Sequence, residues 1–192
     1  ERLAFWLNAY VALLIEGIAK LVSEQGEDAE VSAQDFKIYT ADTHKIAGFN
    51  LRLEEVEHLV LRGDPTYPDV QSTPSSLGQQ LVEQHRLLFP TGRMDARVNF
   101  AVSFGARGFP RMPTRAYVAA RLQTDLETRA NEFINDPVRG ASERGVSILF
   151  DWFRRDFVRD AGSVGRFLAR HYTGDVRQID TERFLQFSWT VQ

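Results

Sequence analysis

The sequence predicts a mostly helical α+β domain: one central buried helix packed on a small, mainly antiparallel sheet. Three observations carry that expectation. Leu3 to Leu21 is almost unbroken apolar sequence with no proline and one glycine. Arg97–Phe104 and Leu185–Val191 alternate apolar and small or polar residues with the period of a strand. Between them lie several stretches with helical spacing of apolar residues, so helices dominate and strands are few.

The first helix organises the rest. From Leu3 to Ile15 only Asn8 is frankly polar, and a helix apolar on nearly every side is buried on most of its circumference. A membrane span also fits, but the length of the run favours a core helix. Glu16 and Lys20, spaced i, i+4 with the acid first, mark a wetted helix end. Asn8 must find partners or cost on the order of 1–3 kcal/mol. It either ties the helix to a neighbouring backbone or lines a pocket. If buried, Asn8→Leu should harm less than Asn8→Asp, which adds a charge.

Downstream, Ser23 to Gln34 reads as an exposed acidic connection, and Phe36–Thr40 and Lys45–Phe49 as short strands. Asn50 is placed to cap a helix carrying Leu53, Val56, Leu59 and Val60, with Gly63 stopping it. A proline-bearing loop covers Gly63–Ser76, and Leu77–Leu88 is a modest helix. Thr114 is expected to cap a long helix reaching Asp136, Val146–Val158 is an aromatic helix, and Ser163 caps a third.

All 192 residues are expected to form one domain, ample to bury a core without staples. Glu1-Arg2 enters the first helix without an N-cap residue, the pattern of an excerpt from a longer protein. Net charge is -3, which gives no electrostatic footprint for nucleic acid. There is no cysteine, so disulfides, thiolate nucleophiles and Cys-based zinc sites are excluded. Lysine occurs only at 20, 37 and 45, against an excess of arginine. No phosphate-binding, dinucleotide, nucleophile-elbow or HExxH motif is present. Glu54 and His58 stand one turn apart, but without a third ligand a solvated helix face is the expectation.

At Ala4-Phe-Trp-Leu-Asn-Ala-Tyr10 the chain resembles the family catalogued as the domain of unknown function numbered 547, whose members open with a segment like "AFWINLYNAL". Leu53–Arg62 is similar to the family's "LDDIEHxILR", and Asp95–Pro110 to "DPRIHFALNCGAxSCP". Ser147–Phe157 is similar to "SKIFKWYxxDF", and Phe187–Gln192 to the terminal "YDWxLN". As the resemblance has it, the family's His falls at Asn99, its two Cys at Phe104 and Phe109, its terminal Asp at Ser188, and an Asn at Val11. A His, a Cys and an Asp in one domain imply a thiol hydrolase, with the thiolate made by an imidazole base. Phenylalanine is neither nucleophile nor ligand, and asparagine accepts no proton near neutral pH.

The retained residues Trp6, Tyr10, Arg62, Phe100, Pro110, Trp152, Phe157 and Trp189 are core builders. Glu57 and Arg62 form either a structural ion pair or a grip for a ligand carboxylate. The expectation is a catalytically silent protein-binding or assembly module, with no catalytic residue, cofactor or metal of its own. A serine hydrolase using Ser103, Ser147 or Ser188 is the alternative from another class. A small-molecule binder is a third, its vacated pocket lined by Asn8, Tyr10, Asn99, Ser103 and Ser188. Phe109, flanked by Arg107 and Arg111, is either an exposed interface anchor or a loop ring folded over the core. The expected partner is another protein or subunit, not nucleic acid, with no membrane span within the chain. The resemblance alone implies a bacterial source and a periplasmic or secreted location.

Overall fold

The computed structural model describes residues 1–31, 39, 43–67 and 70–192. The first helix, α1, runs over Arg2–Gln25 and buries Ala4, Leu7, Val11, Leu14, Ile18 and Leu21 on one face, with Trp6 and Tyr10 beside them. This i, i+3/i+4 stripe is what a core helix needs. The opposite face is wetter than the sequence implies, since Phe5, Ala12 and Ile15 are exposed although apolar. The helix is long and apolar enough to cross a membrane, and a little under half of its most apolar stretch is buried in the protein. Glu16 and Lys20 are exposed, as expected of the wetted end.

Asn8 is half-buried and makes the structural tie. Its Nδ2 donates to the Tyr117 carbonyl at 2.8 Å, and its Oδ1 accepts from the Tyr117 N–H at 2.8 Å. This pair pins the irregular segment around Tyr117 to α1, and on these bonds the expected order of harm is the reverse of the one read from the sequence. Leucine strands both backbone groups of Tyr117, which at a partly buried site costs on the order of 1–3 kcal/mol. Aspartate still accepts from the Tyr117 N–H, and half-exposure spares its charge full desolvation. Denaturant midpoints should therefore fall further for Asn8→Leu than for Asn8→Asp.

The chain then forms a hairpin, β1 (His44–Ile46) against β2 (Phe49–Leu51), antiparallel with Ile46 opposite Phe49. The expected single strand Lys45–Phe49 spans its turn, because Ala47 and Gly48 both take positive φ. That is the two-residue geometry that matches strand twist. Of the expected strand at 36–40 only Tyr39 lies within the described residues. Asn50 is in β2 and caps nothing. Arg52 is the N-cap of α2 (Leu53–Glu55): its N–H donates to the Glu55 Oε2 at 2.9 Å, and the Glu55 N–H donates to the Arg52 carbonyl at 3.1 Å.

From Val56 to Leu61 the helix widens into a π-helical segment, with Arg62 N–H bonded to Glu57 O five residues back. Gly63, at φ 63°, ends it as the sequence predicts. Next come α3 (Ser75–Leu88) and α4 (Val98–Ala101), then α5 (Leu122–Ile134) after a 3₁₀ turn at Ala119–Arg121. The expected helix start at Thr114 is overturned, since residues 114–118 are irregular and held by Asn8.

A second two-stranded antiparallel sheet pairs β3 (Ala141–Ser142) with β4 (Gly145–Val146). The aromatic helix expected over Val146–Val158 is broken into α6 (Leu149–Trp152) and α7 (Arg154–Ala161). The last helix is α8 (Val164–His171), capped by the Ser163 hydroxyl, which accepts from the Arg166 N–H at 3.1 Å.

The class is α+β and mostly helical, but the two strands expected around Phe100 and Phe187 are not there. Val98–Ala101 is a helical turn, and its Asn99 and Ala101, with Ser103 just beyond it, are as buried as the apolar residues between them. The alternation therefore separates two buried faces, not inside from outside. Among the described residues the 184–191 segment forms no ladder, and its backbone pairs through isolated bridges: Phe184 with Val146, Thr190 with Glu30, and Val191 with Ala106. Phe100 sits at the centre of the core of the second half, 5.5 to 6.1 Å from the rings of Phe133, Phe150, Phe157 and Phe167. On the other side, α1 packs down to backbone: a Cβ on Gly105 would lie 1.9 Å from the Ile18 Cδ1.

Candidate functional site

In an α-helix of 3.6 residues per turn, positions five apart lie about 140° apart. The π-helical widening brings Glu57 and Arg62 onto one face. There the Arg62 Nη2 donates to the Glu57 Oε1 at 2.9 Å, with both side chains buried. Arg62 Nη1 also donates to Asp156 of α7 and to Asn99 of α4, and the guanidinium lies 3.6 Å from the Phe153 ring centroid. Asn99 Nδ2 donates to the Ala96 carbonyl at 3.1 Å and to Asp156 at 3.2 Å. Thus α4, α7 and the π-helical segment converge on one cation, which is the structural alternative for the Glu57–Arg62 pair.

Glu57 is shared from the other side. Its Oε2 accepts from the Tyr10 hydroxyl at 2.8 Å and lies 3.1 Å from that of Tyr39. Tyr10 O–H is also 3.2 Å from the Ser103 carbonyl, and Tyr39 O–H is 3.0 Å from the His58 Nε2. The His58 ring stacks on Tyr67 at 3.6 Å. Burial pushes the Glu57 carboxyl upward, but Arg62, His58 and the Arg62 and Tyr10 hydrogen bonds outweigh it and leave it below the ordinary value. Burial, then the Glu57 charge, push the Tyr10 hydroxyl well up, so it stays a donor. For Arg62, Asp156 and Glu57 outweigh the desolvation and hold the guanidinium charged. Glu54 and His58 are not a solvated pair: both are buried, and Glu54 is 2.6 Å from Arg52.

Beside this network lies an aromatic cluster, with Phe104 and Phe109 buried, Phe187 and Trp189 half-buried and Trp152 exposed. Phe104 and Phe109 stack at 5.4 Å, and Phe109 is 5.3 Å from Phe187, 6.0 Å from Trp152 and 6.1 Å from Trp189. Tyr39 joins the two regions, its ring 4.3 Å from Phe104 and its hydroxyl on Glu57. Phe109 is buried, only 7% exposed, which is the core alternative for that ring. Arg107 is exposed and its Nε donates to the Val191 carbonyl at 3.1 Å, while Arg111 is exposed at the end of the loop.

The structure therefore brings Tyr10, Asn99 and Ser103 to one buried network and leaves two of the expected pocket residues outside it. Asn8 faces Tyr117. Ser188 is half-buried, its hydroxyl 3.2 Å from that of Thr190. Four surface grooves of roughly 340 to 670 Å³ are lined by none of the residues of the network. The Ser103 Oγ accepts from the Gly105 N–H at 3.1 Å, and the Ser147 Oγ from the Leu149 N–H at 3.3 Å. Among the described residues no histidine ring is hydrogen-bonded to a serine hydroxyl, and no group of three His, Asp or Glu side chains is placed to hold a metal. Sequence reasoning missed Asp156 and Tyr39 as members of the network. For Asp156 the signal was available, since it is one of the residues retained in the Ser147–Phe157 resemblance.

No curated protein and no solved structure matches the chain. The matched family profile spans residues 1–134, which takes in Tyr10, Glu57, Arg62, Asn99, Phe104 and Phe109 and stops short of Trp152, Asp156, Phe187 and Trp189. Since the match covers more than half of the chain, the chain belongs to the family described as "Protein of unknown function, DUF547".

Proposed function

We propose that the domain is a non-catalytic module that works by binding another protein. The observation that carries this reading is the stacked pair Phe104–Phe109. As the resemblance implies, these are the two thiol positions of the family, and the imidazole position is Asn99, spent here on Arg62 and Asp156. Phenyl rings at the two thiol positions supply neither nucleophile nor ligand. An amide held by a buried guanidinium and a carboxylate cannot take up a proton as a general base does.

The test is covalent labelling of the purified domain with a broad fluorophosphonate probe. No labelling is expected, because the Ser103, Ser147 and Ser188 hydroxyls have no imidazole partner among the described residues. Stoichiometric labelling that disappears on Ser103→Ala, Ser147→Ala or Ser188→Ala would establish a serine hydrolase and overturn the proposal.

A further inference from the structure

The C-terminal segment presents an unpaired backbone edge beside a groove of one charge sign. From Phe184 to Trp189 the chain runs without helix or turn and is bridged only near its ends. At one end the Val146 N–H donates to Arg183 O at 2.9 Å, and the Leu185 N–H to Val146 O at 2.8 Å. At the other, the Gly108 N–H donates to Ser188 O at 2.9 Å, and the Arg107 N–H to Thr190 O at 2.8 Å. Backbone groups of alternate residues point to the same side of such a segment. Residues 183 and 185 face β4, so 184 and 186 face the side on which 188 and 190 meet residues 107 and 108. The N–H and C=O of Phe184 and Gln186 make no hydrogen bond among the described residues, and both residues are exposed.

Along this edge runs a groove of about 430 Å³, lined by Val138, Arg144, Arg183 and residues 184–188. Its apolar wall is exposed: Val138 is 65% and Phe184 39% accessible. It holds two guanidinium groups and no carboxylate. Glu182, next to Arg183 in sequence, is engaged by Arg154 at 3.0 Å, and Glu143 does not line the groove. Arg144 spends one Nη on the Pro137 carbonyl at 3.1 Å, and Arg183 has no acidic partner among the described residues.

We propose that this groove takes an extended acidic peptide from a partner protein, added as a strand along Phe184–Gln186. This proposal rests on the protein-binding reading above and gives it a place. Main-chain bonds to Phe184 and Gln186 hold the peptide, and alternation divides its side chains. Carboxylates reach Arg144 and Arg183, and apolar side chains lie on Phe184 and Val138. An added strand continues the line that residues 105–108 form beside 188–192.

The probe is an acetylated, amidated heptapeptide of alternating Asp and Val, followed by fluorescence anisotropy. The same peptide with Lys for Asp, and one N-methylated at alternate residues, serve as its controls. The Asp peptide should bind, the double variant Arg144→Glu/Arg183→Glu should weaken it at least about tenfold through loss of the charge pairs, and the Lys and N-methylated peptides should fail. Absence of binding at millimolar peptide overturns the proposal, as do equal binding of the Lys or N-methylated peptide and indifference to the double variant. A concentration-dependent dimer in sedimentation, lost on Phe184→Glu, would assign the edge to a second copy and overturn it too. The underlying reading fails separately. A partner captured equally by wild type and the double variant would displace only this site, whereas probe labelling of a serine would remove the non-catalytic reading and leave peptide binding intact.

Discussion

Replacing Arg62 by methionine should cost the domain about 3–5 kcal/mol of stability, the loss expected when one partner of a buried ion pair is removed. Arg62 is 4% exposed and is the point at which Glu57, Asp156 and Asn99 meet. Methionine keeps the packing against Phe153 and leaves two buried carboxylates without their cation. Lysine should recover only part of the loss, because one ammonium cannot copy a fork that addresses Glu57 with one nitrogen and Asp156 and Asn99 with the other. The pH dependence has a definite sign. Glu57 titrates below its unfolded value in the folded protein, so its contribution is present above the ordinary value of 4.5 and is lost as pH falls through the lowered folded value. In Arg62→Met the charge and hydrogen bond of the guanidinium are lost and only His58 and the Tyr10 hydrogen bond remain to oppose burial, so Glu57 takes up its proton at higher pH and protonation relieves the variant. The gap in denaturant midpoint between wild type and variant should therefore narrow as pH is lowered from about 7 towards about 4. A gap that is constant, or that widens at low pH, would show that the guanidinium does not stabilise Glu57.

What could be read from the sequence follows from how each pattern arises. The first helix was legible because its apolar stripe is long enough to declare a period, and Asn8 because one amide in such a stripe has to be satisfied. The caps at Gly63 and Ser163 were legible because the chemistry is local. Arg97–Phe104 misled because period two marks a strand only when one face is wet. Here Asn99 and Ser103 are buried in polar company, so the alternation reports two kinds of interior. The π-helical turn at Val56–Leu61 left no signal, since Leu53, Val56, Leu59 and Val60 fit an ordinary helix equally well. Its consequence, the meeting of Glu57 and Arg62, was posed as a pair without the geometry that makes it. The network needs Asp156, about a hundred residues away from Glu57 in the chain; the resemblance over Ser147–Phe157 singles out that residue, but no local pattern pairs it with Arg62.

Phe109→Ala should lower stability by about 3–5 kcal/mol, the usual cost of emptying a buried aromatic position. The ring is a hub: it stacks on Phe104 and lies within about 6 Å of Trp152, Phe187 and Trp189, so its loss loosens three chain segments together. Phe104→Ala should cost a comparable amount, and the double variant less than the sum, because each ring is part of the other's surroundings. Phe109→Leu separates packing from aromaticity: it keeps most of the volume and should lose about 1–2 kcal/mol, within the range of hydrophobic shape changes. Thermal unfolding and capture of partners from native extract, measured on the same variants, then distinguish core from interface. If Phe109 works only as packing, Phe109→Ala loses partner and stability together, and Phe109→Leu, which stays folded, retains the partner. Unchanged unfolding of Phe109→Ala with the partner lost would place the ring at an interface and contradict its burial. The two arginines beside it answer separately. Arg111 is exposed, so Arg111→Ala should leave the unfolding temperature within about a degree, as surface changes away from buried features do. Arg107→Ala removes the hydrogen bond to the Val191 carbonyl and should cost more.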